Sequence, residues 1–99
     1  MENFENLINS ATVPVLVDFY ATWCGPCKMM HPILENVKSH VGDKARIVKI
    51  DVDEQQALAM QYRIQAVPTL MLFKDGKLVW RQSGVVQSNE LVSLIEKYV

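Results

Sequence analysis

The chain has 99 residues, two Cys, a formal net charge of -1 and 49% hydrophobic residues. That length suits one domain, residues 1–99, with a core of its own, and leaves no room for separate cofactor and substrate domains. The near-zero charge argues against a nucleic-acid partner, which needs a surplus of Lys and Arg on one face. No apolar run reaches the ~18 residues of a membrane span. The N-terminal residues carry no basic stretch followed by an apolar one, so no secretory leader is expected. Two cysteines do not make a disulfide scaffold, and the expected compartment is the cytoplasm.

Phe4, Leu7 and Ile8 repeat at helical spacing, which predicts a short amphipathic helix over residues 2–10. The run from Val13 to Ala21 is apolar and β-branched, as in a strand buried on both faces, with Asp18 its one charge. Met30, Ile33, Leu34, Val37 and Val41 share one face of a predicted helix over residues 25–41. Pro26 fits its first turn, Pro32 is expected to kink it, and Gly42 to end it. A second strand is expected from Ala45 to Asp51, then a short helix over 54–62 with Asp53 as its cap. Thr69 to Phe73 reads as a third strand, and Asp75-Gly76 as a hairpin turn into a fourth, Leu78 to Ser83. Ser88 is expected to cap a last helix that buries Leu91, Leu94, Ile95 and Tyr98. Helix-linked strands pair in parallel and the hairpin antiparallel, so the class is α/β: a mixed sheet of about four strands with helices on both faces.

Trp23-Cys24-Gly25-Pro26-Cys27-Lys28 stands where a buried strand gives way to a helix. Cys24 falls at the helix N-terminus, where free N–H groups and the dipole favour a thiolate, the nucleophilic form of sulfur. Cys27 lies one turn on, close enough for a disulfide. So small a loop removes only about 2 kcal/mol of unfolded-chain entropy, which suits a bond that opens and closes better than a staple. Zinc is the other reading, because Cys24, Cys27 and His31 share a helix face. His40, over ~15 Å along the same helix, cannot complete the four ligands of a structural site, so no metal is expected. His31 itself reads as a solvated helix histidine, and Met29 as local packing. Asp18, a carboxylate in a buried strand, should hold its proton more tightly than usual.

The hexapeptide resembles the active-site signature of the thioredoxin family. The resemblance extends over Val17-Asp18-Phe19-Tyr20-Ala21, Pro32-Ile33-Leu34, Val48-Lys49-Ile50-Asp51-Val52-Asp53, Tyr62-Arg63-Ile64, Val67-Pro68-Thr69-Leu70, Phe73-Lys74-Asp75-Gly76 and Gly84. It implies a thioredoxin fold and a protein-disulfide reductase that works through a Cys24–Cys27 redox pair, with Cys24 the exposed nucleophile and Cys27 the buried resolving thiol. By the same resemblance, Asp18 takes the proton of Cys27 through a water. The plainer reading makes Asp18 a structural charge paired with Lys49 on the neighbouring strand.

Pro68 should follow a cis peptide bond facing the cysteines. Trp23, Gly25, Pro26, Val67, Pro68 and Gly84 should form a flat apolar substrate-binding surface around Cys24. Gly84 serves either a turn with positive φ or close approach of a partner. The family implies no bound cofactor and reducing equivalents from NADPH through a flavoprotein, thioredoxin reductase. Its substrates are disulfide-containing proteins, such as reductases and peroxidases of the peroxiredoxin type, and the chain should be a monomer. Two departures stand out: Tyr20 replaces a Trp found in many members, and the family's leading strand is expected to be absent, which would leave the Ala45–Asp51 strand at the sheet edge.

Overall fold

The computed structural model describes residues 3–99. Helix α1 spans Phe4–Ser10 and is capped by the Asn3 side chain, which accepts from the Asn6 amide at 2.7 Å. The expected start at Glu2 lies outside the described residues. Strand β1 is Val15–Tyr20, helix α2 Gly25–Val41 and strand β2 Arg46–Asp51, with a 3₁₀ turn, Gly42–Lys44, before β2. Helix α3 is Gln56–Gln61, strands β3 and β4 are Thr69–Lys74 and Lys77–Ser83, and helix α4 is Ser88–Glu96. Pro32 lies within α2 without ending it.

The four strands stand in the order β2-β1-β3-β4. β1 pairs β2 in parallel, while β1 with β3 and β3 with β4 are antiparallel. Among the described residues, strand β2 is therefore an edge, as expected. β1 begins at Val15 rather than Val13, because Pro14 has no amide for the ladder and instead gives its carbonyl to the Arg46 amide at 2.9 Å. Asp75 (φ 53°) and Gly76 (φ 78°) are both left-handed, as the tight turn of a twisted hairpin requires. A Cβ at Gly76 would run into the Asn9 side chain, so α1 lies directly against this turn.

Because side chains alternate along a strand, the sheet feeds two cores. Leu16, Leu70 and Leu72 pack with Met30, Leu34, Val37 and Val41 of α2 and Leu91 and Ile95 of α4. On the other face, Val15, Val17, Phe19, Met71 and Phe73 pack with Leu7 and Ile8 of α1, joined by Leu58, Tyr62 and Ile64. The Phe4 ring closes this second core edge-on against Tyr62 and Phe73, with centroids 5.6 and 5.5 Å away. Full burial of each such side chain contributes roughly 1.5–3 kcal/mol.

Two expected caps are corrected. Asp53 does not cap α3: that helix starts later, after Gln55, and no side chain closes its N-terminus. The turn before it is organised instead by Asp51, whose Oδ1 accepts from the Asp53 amide at 2.8 Å. Ser88 is the first helical residue of α4 rather than its cap; Gln87 takes the cap position with extended backbone and no side-chain bond. Met29 is also corrected: it is 59% exposed and does not pack locally.

Candidate active site

The site lies at the C-terminal end of β1 and the N-terminus of α2. Cys24 is the N-cap of α2, with extended backbone, and its Sγ accepts from the Cys27 amide at 3.1 Å. This is the position where unpaired N–H groups and the helix dipole stabilise negative charge on sulfur. Cys24 and Cys27 are joined by a disulfide, with their Cα atoms 5.3 Å apart. In this oxidised form Cys24 is not the exposed residue that the family resemblance implies. It is 4% exposed against 1% for Cys27, because Ala21, Tyr20, Val52 and Val67 pack around the pair. Cys24 is thus only marginally the more open of the two.

The Val67–Pro68 bond is cis. It brings the Val67 carbonyl oxygen to 3.6 Å from Cys24 Sγ. Pro68 itself is buried, and its carbonyl accepts from the Gly84 amide at 2.8 Å. Of the residues expected to form an apolar surface, Trp23, Gly25 and Pro26 are exposed and Val67 and Gly84 half-buried, while Pro68 is corrected: it is buried and not part of that surface. Gly84 has φ 95°, and a Cβ there would meet nothing within 4 Å. Its backbone conformation therefore suffices to explain the glycine.

Trp23 is 71% exposed, yet its Nε1 donates to Asp53 Oδ2 at 2.9 Å. That bond gives Asp53 the role that capping does not, and fixes the indole beside the disulfide. Sequence reading missed this contact, since 30 residues separate the partners.

Asp18 is fully buried, and among the described residues neither of its carboxyl oxygens has a protein hydrogen-bond partner. Burial pushes its carboxyl up to about 6, against an opposing pull from the Lys49 charge. Lys49 is its partner in the β1–β2 register. The expected pairing is not a hydrogen-bonded one: Lys49 Nζ lies 2.6 Å from His31 Nδ1. His31 is accordingly not a free solvated residue. It is half-buried, with its ring edge-on to Tyr20 at 6.0 Å between centroids.

Comparison with known proteins agrees with this geometry. The thioredoxin family model matches residues 1–97. The chain belongs to the thioredoxin family. It is 52% identical over 97 residues to a thioredoxin-like protein of Synechocystis sp., covering 98% of this chain and 92% of that one. It is 47% identical to the chloroplastic thioredoxin Y of Oryza sativa subsp. japonica, over 95% of this chain and 56% of that protein's length. Mitochondrial thioredoxin 3 of Saccharomyces cerevisiae, in its oxidised form, superposes with a TM-score of 0.84 at 41% identity, covering 95% of this chain and 86% of the yeast one. The fold is the thioredoxin fold, and the protein is a thiol–disulfide oxidoreductase whose reactive groups are a bonded Cys-x-x-Cys pair. Disulfides are accordingly its class of substrate. The expected cytoplasmic placement does not stand: thioredoxins of Oryza sativa, Arabidopsis thaliana and Chlamydomonas reinhardtii among its relatives are chloroplastic.

Proposed function

We propose that the chain, as one thioredoxin domain over residues 1–99, is a protein-disulfide reductase in a cyanobacterial or plastid setting. The observation that carries this is the position of Cys24 Sγ, at once helix cap and partner of Cys27. In the reduced protein the Cys24 thiolate attacks one sulfur of a substrate disulfide. A mixed disulfide forms, and the other substrate sulfur leaves as thiolate and takes up a proton. Asp18 then accepts the proton of Cys27, and the Cys27 thiolate attacks Cys24 Sγ. The bond to substrate breaks, the second substrate sulfur leaves and is protonated, and the internal disulfide is restored. Two electrons and two protons have passed to the substrate. The second attack is intramolecular, so proximity favours it.

In this reading Cys24, Cys27 and Asp18 do the chemistry, and Lys49 moderates Asp18. Trp23, Gly25, Pro26, Val67 and Gly84 receive the substrate chain above the buried Pro68, with the Val67 backbone pairing to it as a strand would. The protein binds no cofactor of its own. Reducing equivalents come from NADPH through a flavoprotein thioredoxin reductase, and the working form is a monomer. Reductases and peroxiredoxin-type peroxidases are proposed substrates. A structural relative at 40% identity comes from a study of a yeast mitochondrial 1-Cys peroxiredoxin resolved through glutathione and thioredoxin systems, which supports the latter.

Equilibration of the pair against a glutathione redox buffer tests the direction of transfer. A pair that stays oxidised until the buffer is strongly reducing, together with NADPH-dependent insulin reduction in the presence of a thioredoxin reductase, is expected. A pair reduced by modest glutathione would instead mark a disulfide-forming protein.

A further inference from the structure

Lys49 is bonded to His31, while its charge also acts on Asp18. An ammonium only donates, so in the 2.6 Å contact His31 Nδ1 is the acceptor. Parallel register partners point to the same face of a sheet, which places the Lys49 side chain beside that of Asp18. Both Asp18 oxygens nevertheless stay without a partner, and the T-shaped contact with Tyr20 fixes the imidazole where it can hold the lysine.

We propose that His31 is a positioning residue of the redox site, holding the Lys49 ammonium to itself and off the Asp18 carboxyl. The proposal rests on the reading above that Asp18 exchanges a proton with Cys27. A lysine hydrogen-bonded to a buried carboxylate would hold it in the charged form. Such a group gives back a proton poorly. With Lys49 retained by His31, only its field reaches Asp18, and burial outweighs that field.

The other charged groups do not replace it. Glu35 and Lys38 of α2 and Arg46 of β2 line the groove that Lys49 shares. Asp51, Glu54 and Asp18 act together on the Tyr20 hydroxyl, which burial in the first place pushes up. None of them donates a hydrogen bond to Asp18.

The test is the carboxyl titration of Asp18, followed by carbon NMR in the full-length chain, with the rate of mixed-disulfide release measured over the same pH range. In His31→Ala the Asp18 midpoint is expected to fall by about one pH unit, as for a carboxylate gaining a close cation. His31→Gln, whose amide oxygen can accept from Lys49, should bring it back. In a Lys49→Met background, His31→Ala should change nothing. An unmoved or raised midpoint in His31→Ala overturns the proposal, and so does an equal shift in the Lys49→Met background. If the midpoint falls as expected while the pH profile of release stays put, the positioning role of His31 holds and the proton-transfer role of Asp18 fails.

Discussion

Replacing Asp18 with Asn should stabilise the protein at neutral pH and remove part of its pH dependence. The carboxyl is raised from 3.8 to about 6 by burial. Each pKa unit corresponds to about 1.4 kcal/mol, so ionising this group inside the fold costs about 3 kcal/mol. The direction follows from proton counting. Below pH 3.8 folded and unfolded chains both hold the proton, and the group is indifferent. Between there and about 6 the folded chain keeps a proton that the unfolded chain has lost, so stability falls as pH rises. Above that range the whole penalty is present. Asn has nearly the shape of the neutral acid and never ionises, so it escapes the penalty. Urea unfolding of the oxidised protein, with and without Asp18→Asn, should give a difference that grows by about 2.5 kcal/mol between pH 4 and pH 7.5 in favour of the variant. For a chain of this size each kcal/mol is worth roughly 4–8 °C in melting temperature, so a thermal scan shows the same trend. Parallel stability curves for the two proteins over this range would refute the reasoning.

Stopped-flow kinetics of the same variant should show first attack by Cys24 preserved and release of the mixed disulfide slowed about a hundredfold at pH 7, the lower end of what a lost general base costs. Trp23→Ala removes an exposed ring and one hydrogen bond, to Asp53. It should change stability by only about 1 kcal/mol in urea melts while raising KM for a protein disulfide. Gly84→Ala forces an alanine to φ 95°. With no steric clash at the new Cβ, the loss measured by denaturation should be the backbone cost alone, about 1–3 kcal/mol. Gly76→Ala adds a collision to an unfavourable φ, so Asn9→Ala should recover part of its larger loss.

Elements with strong periodicity were legible from sequence, and contacts between distant segments were not. The β-branched run around Val17 and the face shared by Met30, Leu34 and Val37 specify a doubly buried strand and its covering helix. Asp75-Gly76 specifies its turn because few other pairs tolerate two left-handed residues. Capping is less determined: Asp53 and Ser88 are both good cap residues, but Asp53 is drawn to the Trp23 indole, and α4 begins one residue before the expected position. In the site, the Cys24–Cys27 pair and the burial of Asp18 were readable from local sequence. The exposure of Cys24 was not, since the cover is assembled from Tyr20, Val52 and Val67, which meet only in the fold. Neither was the His31–Lys49 bond, which spans 18 residues.

The amide of Cys27 points at the very sulfur that changes bonding partner. Oxidation and reduction are therefore reported by the protein's own peptide group, without any added label. Its proton resonance should serve as a built-in gauge of which of the three sulfur states (free, shared with a client, or closed on itself) dominates in a working sample.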